Sequence, residues 1–129
     1  MAIYELFATP VYASDVDNLS EINDELEECL KSVDFSYIEG WGNTHQISDS
    51  TFDKNILYDF DLAVINKEIH KHIRKYFNQI EYPFDVNYHI RQSWLVKYSQ
   101  GDYAHIHNHG LADISGVYYH KISKGHERL

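Results

Sequence analysis

The sequence is poor in cysteine, in long apolar runs and in basic residues. Cys29 is the single cysteine, which excludes an intrachain disulfide and is typical of a reducing compartment. A membrane-spanning helix needs about 20 apolar residues, and no such run occurs. The first residues also lack the basic start and apolar core of a signal peptide. We therefore expect a cytoplasmic protein with no membrane partner.

The charge balance is strongly acidic. Eleven Lys and Arg face 20 Asp and Glu, which gives a formal net charge of -9. Because phosphates would be repelled, we expect no nucleic-acid partner. The one basic stretch, Lys67 to Lys75, is typical of the solvated face of a helix.

Helical periodicity occurs twice in the first two thirds of the chain. Apolar residues from Leu19 to Val33 recur at intervals of three and four, with acidic residues between them. A second stripe predicts a helix over 59–80. Both patterns indicate helices that bury one face.

The remaining segments indicate strands. Alternation with period two predicts a strand over 86–98, and further extended stretches are predicted from Tyr103 and over 113–122. An edge strand is predicted over 3–12 and a polar loop over 39–51. With 129 residues, the pattern predicts a single α+β domain over 1–129.

Three histidines alternate at His105, His107 and His109. On a strand, residues i and i+2 project from the same face, so two such imidazoles can bind one ion. Two His plus one carboxylate is the ligand set of non-heme iron(II) oxygenases. Asp102 and Asp113 could supply a carboxylate or orient a ligand imidazole. The alternative is that these histidines are ordinary surface or hydrogen-bonded residues.

The motifs around the histidines resemble one family. They are Leu6–Tyr12, Ser93–Tyr98, Gly101–Tyr103, His107–His109 and Ser115–Tyr119. Together they are similar to iron(II)/2-oxoglutarate-dependent oxygenases of the small double-stranded β-helix type, which are common in marine bacteria and their phages. The likeness spans nearly the whole chain.

The resemblance implies a fold, a reaction and cofactors. The fold would be a partial double-stranded β-helix (jelly-roll, cupin-like) with two N-terminal helices packed on the sheet. The reaction would be hydroxylation by a dioxygenase with Fe(II) and the small-molecule cosubstrate 2-oxoglutarate, in the cytoplasm, including that of a phage-infected bacterium. His107 and His109 would be the metal ligands, although the broader superfamily often has Asp where His109 stands. His105, Asp113, Tyr98 and Tyr103 could lie in the pocket or around the ligands; the alternatives are a solvent-facing His105 and tyrosines that belong to the core.

The end of the chain departs from this family. Its members continue with further strands, a distal metal-binding His and an Arg that pairs with the cosubstrate carboxylate. This chain has only ten residues after Tyr119, with His120, His126 and Arg128 as candidates by residue type. We therefore expect a C-terminally truncated member with an incomplete site. The alternative is a non-enzymatic metal-binding or interaction module, completed if at all by a homo-oligomer.

Overall fold

The computed structural model describes residues 9–38, 40, 42–49, 53–82, 85 and 87–122. The elements are helix α1 (Leu19–Leu30), strands β1 (Ser36–Tyr37) and β2 (Gln46–Ile47), helices α2 (Ile56–Asp59) and α3 (Ala63–Gln79), and strand β3 (Val96–Lys97). The strands form one antiparallel sheet in the order β1-β2-β3. The α+β class is thus confirmed. Across the described ranges, no helix combines the length and apolar character needed to cross a membrane.

The first predicted helix is confirmed as α1. Ile22, Leu26 and Cys29, at positions i, i+4 and i+7, are all buried. This spacing puts the three side chains on one face, which is the face that packs into the core. Burial raises the pKa of the Cys29 thiol, with a smaller contribution from Glu25, as expected of a core cysteine rather than a nucleophile.

The second predicted helix, over 59–80, is confirmed as α3, and a separate short helix, α2, precedes it. Asp61 lies between them with a φ of 49°, a left-handed conformation that ends a right-handed helix and that Asp tolerates better than most residues. Leu62 follows and is buried in the core. The predicted apolar stripe therefore begins at this break, and periodicity alone does not reveal the separate helix before it.

The core joins the helices to one another. Buried side chains from all three helices and the α2–α3 turn form one cluster, and it consists of Ile22, Leu26, Cys29, Ile56, Leu57, Leu62 and Ile65. Ile90, Leu95 and Tyr118 pack against this cluster from the second half of the chain. The core thus lies mainly between helices, and residues 96–122 lie at its margin.

The predicted strands are shorter than expected or absent. In 86–98, only Val96–Lys97 is a strand, with one isolated bridge between Ser93 and Asn55, and Val86 lies outside the described residues. Residues 103–122 are all described and contain no strand, so those two predictions are wrong. Alternation produces a strand only where a neighbouring strand supplies backbone partners.

Two other predictions have mixed outcomes. The predicted loop 39–51 is wrong in part, because it contains β2. The N-terminal strand falls mainly on residues 1–8, outside the described ranges. The described strands form one small open sheet, so the jelly roll stays a prediction.

Candidate metal centre

His107 and His109 lie next to each other in the exposed segment that follows β3. Their ring centroids are 5.1 Å apart, with the ring planes at 69°. Imidazoles that share one ion through metal–nitrogen bonds of about 2.1 Å have centroids roughly 4.5 to 5 Å apart. The centroid separation of the pair lies just above this range, close to what a shared ion requires, although the rings meet edge to face and the segment is not a strand.

The backbone of the same segment orients the His107 ring. Its Nδ1 lies 2.7 Å from the carbonyl oxygen of His105. A carbonyl oxygen can only accept, so Nδ1 carries the proton and Nε2 carries the lone pair of the neutral ring. Metal-ligating histidines commonly have this arrangement, in which a hydrogen bond from one nitrogen selects the tautomer.

The His109 ring is connected to the sheet through Trp94. The two rings are stacked, with centroids 5.8 Å apart and planes at 28°. Trp94 precedes Leu95, whose backbone carbonyl oxygen accepts from the Ser48 N–H at 3.0 Å and whose N–H donates to Ser48 Oγ at 2.9 Å. The half-buried indole thus supports one imidazole of the pair.

His45 fixes the start of the histidine segment and was missed by sequence reasoning. It is buried, it stacks on Tyr98 with centroids 5.3 Å apart, and its Nδ1 lies 3.3 Å from the carbonyl oxygen of Tyr103. The Tyr103 N–H donates to the Thr44 carbonyl oxygen at 3.0 Å. Burial raises the pKa of Tyr98, and the charges of Tyr119 and Asp102 add to the effect.

A period-two signal for His45 was present inside the predicted loop. His45, Ile47 and Asp49 alternate along the chain and are all buried. Because two of the three are polar, hydropathy alone does not distinguish them from a polar loop.

The other predicted site residues do not join the pair. The His105 ring contacts Tyr103 edge-on at 5.2 Å. Asp102 accepts the Ser99 N–H at 2.7 Å and closes a turn, and Asp113 is exposed. Among the described side chains, no three His, Cys, Asp or Glu come together as a metal-binding group. The structure therefore offers two adjacent imidazoles and no third ligand within its described part.

The C-terminal candidates are placed only in part. His120 Nε2 lies 3.0 Å from Glu27 Oε1 on α1. Hydrogen bonds from Lys121 and then His120 hold the pKa of Glu27 below its ordinary value. His120 thus fastens the chain to α1 instead of approaching the histidine pair, and His126 and Arg128 lie outside the described residues.

Comparison with protein-family models, curated proteins and solved structures found no match to the chain. The family resemblance therefore rests on the motifs quoted above.

Proposed function

We propose that the protein binds iron(II) through His107 and His109 and acts with 2-oxoglutarate as an oxygenase that hydroxylates a C–H bond. The observation that carries this proposal is the pair itself, with ring centroids 5.1 Å apart. The hydrogen bond from His107 Nδ1 supports it, since it leaves Nε2 with the lone pair that a metal needs. The jelly-roll fold belongs to the same proposal.

The fit to such a centre is partial. The two imidazoles suit two of the protein positions in a two-His, one-carboxylate site, and the described residues supply no third. Dioxygen would supply the oxidising power at bound iron(II), one oxygen atom going to the succinate formed with CO₂ from 2-oxoglutarate and the other to the C–H bond, while the protein orients the cosubstrate. Trp94 keeps the His109 ring in place, and Tyr98 and Tyr103 flank the segment that leads to the pair.

Anaerobic titration with iron(II) tests the metal site. We expect saturable binding by the native protein and binding about tenfold weaker, or more, for His107→Ala and for His109→Ala, since each removes one ligand. His89→Ala is the matched control, because His89 is another exposed histidine outside the segment. Equal affinity of the native protein and His107→Ala would refute the site.

Turnover tests the reaction separately. With iron(II), oxygen and 2-oxoglutarate, we expect formation of succinate that His107→Ala abolishes. Iron(II) binding at the pair without any succinate formation would reject the oxygenase while retaining the metal site.

A second candidate is a non-enzymatic metal-binding module that another copy of the chain completes. It is favoured by apolar side chains around the pair that no described residue covers. Ile106 and Leu111, which flank the two histidines, are fully exposed and 78% exposed, and exposed apolar patches mark interaction sites. Sedimentation velocity distinguishes this candidate. A monomer with and without iron(II) contradicts it, and an iron-dependent dimer without turnover supports it.

A further inference from the structure

A groove of about 470 Å³ runs beside α3, away from the histidine pair. Its walls come from α2, the α2–α3 turn and the first three turns of α3. The volume is within the range of small-molecule sites, which is about 300 to 1,000 Å³. The groove is therefore large enough for a small ligand.

Cationic and titratable side chains line one wall of this groove. Lys67, His70 and Arg74 all contribute to it, and their spacing of i, i+3 and i+7 places them on the same face of α3. Lys67 and Arg74 are exposed and form no ion pair with any described residue. By contrast, Lys71 pairs with Asp17 and Glu68 on another side of the helix.

The His70 ring is held rigidly at this wall. Tyr88 O–H donates to the His70 carbonyl oxygen at 3.2 Å, and the same hydroxyl oxygen lies 3.0 Å from His70 Nδ1. Tyr88 has one proton, so Nδ1–H donates to the Tyr88 oxygen. The imidazole is thereby fixed through Nδ1, and its other nitrogen is the one left to meet a ligand.

The rest of the lining has a different character. Leu57 and Tyr58 of α2 and Ala63 at the start of α3 contribute apolar and aromatic atoms, and Tyr58 is half-exposed. Asp61 contributes one negative charge, so the ionised side chains of the lining sum to about +1 on a chain of net charge -9. The groove is thus a locally cationic site with an apolar and aromatic side.

We propose that this groove binds a small organic phosphomonoester. Arg74 and Lys67 would hold the phosphate, because a guanidinium group binds phosphate oxygens in a bidentate manner and an ammonium group adds a point charge. The organic part would lie against Tyr58 and Leu57. The site is separate from the histidine pair and does not depend on iron(II).

Phenyl phosphate is the probe for this site, since it combines an aromatic group with a phosphate that carries about -1.5 to -2 charges at pH 7. The readout is the side-chain ¹H–¹³C signal of His70, assigned by its loss in His70→Gln, at constant ionic strength. We expect a saturable shift with phenyl phosphate and none with phenol, which lacks the anionic group.

The double variant Lys67→Gln/Arg74→Gln should weaken phenyl phosphate binding by about tenfold or more. Lys75→Gln is the matched control, because Lys75 is an exposed lysine of the same helix that acts on Asp17, on the side of Lys71. This control should bind as the native protein does. Absence of a saturable shift, an equal shift with phenol, or unchanged affinity of the double variant would overturn the proposal.

Discussion

Glu68 is a buried carboxylate that connects α3 to residues 12–17. It is 4% exposed and accepts hydrogen bonds from Lys71, from His72 Nε2 at 3.1 Å and from the Asp17 N–H at 2.9 Å. Burial alone raises the pKa of Glu68, but these donors outweigh burial, and the pKa falls from 4.5 to about 2. His72 Nδ1 in turn meets Tyr12 O–H at 2.8 Å. One carboxylate thus ties residues 12–17 to α3.

Glu68→Gln should lower the free energy of unfolding by about 2 kcal/mol at pH 7. A folded-state pKa below the unfolded value contributes stability above pH 4.5, and this contribution is lost as the pH falls through about 2. Urea unfolding of both proteins from pH 7 to pH 2 should therefore show a difference that narrows below pH 4.5. The exposed Glu81→Gln is the control. A difference independent of pH would contradict the role assigned to the Glu68 charge.

At the scale of elements, a carboxylate of one helix caps the next. Glu25 of α1 accepts the N–H groups of Val64 and Ile65 at 2.9 and 3.0 Å, at the start of α3. The cap residue of α3 itself, Leu62, makes no side-chain hydrogen bond to the helix end. Glu25 therefore satisfies donors that a helix leaves unpaired and places a negative charge at the positive end of its dipole.

Glu25→Ala should destabilise the protein by about 1 to 2 kcal/mol, measured by urea unfolding. Asp24→Ala is the matched control, since Asp24 is an exposed carboxylate in the middle of the same helix. We expect the amides of Val64 and Ile65 to exchange hydrogen faster in Glu25→Ala than in the control. Equal stability of the two variants would show that the cap contributes nothing measurable.

The Glu25 cap illustrates what the sequence could and could not predict. Helix α1 was predictable because its buried positions repeat within its own 12 residues. The cap depends on a contact across about 40 positions in sequence, between Glu25 and Ile65, and no local pattern encodes it. Strands depend on such distant partners as well, so 103–122 was wrongly predicted as extended strand. His107 and His109 are adjacent, but the strand that their alternation predicts is absent, and no local pattern predicts the support by Trp94.

At the scale of the whole molecule, the core is confined to the helical part. Ile22 is fully buried and Ile106 fully exposed, so the same substitution at both sites should have very different effects. Ile22→Ala should lower the free energy of unfolding by about 2 to 5 kcal/mol, and Ile106→Ala should change it by less than about 0.5 kcal/mol. Urea unfolding measures both. A large loss for Ile106→Ala would mean that residues 104–117 take part in a core.

The contrast between the buried helical part and the exposed residues 104–117 predicts how amide hydrogen exchange varies along the chain. Residues 104–117 are all exposed, and within this segment a backbone hydrogen bond runs from Ala112 N–H to the His109 carbonyl oxygen at 2.8 Å. Amides of α1 and α3 are bonded within helices that enclose the core. Exchange requires opening of the bonded structure, so amides of α1 and α3 should be the slowest and those of the exposed segment 104–117 should exchange faster.

Hydrogen exchange also tests whether iron(II) binds at His107 and His109. An ion shared by His107 and His109 would join two residues of the fast-exchanging segment, and binding to the folded form alone stabilises what it binds. We expect iron(II) to slow exchange in a peptide that covers residues 105–112 and to leave α1 unchanged, and His109→Ala to remove the effect. If amides of 104–117 exchange as slowly as those of α1 in the absence of metal, the core is not confined to the helical part. An equal effect of iron(II) on His109→Ala would contradict binding at the pair, because an ion held elsewhere has no reason to order this segment.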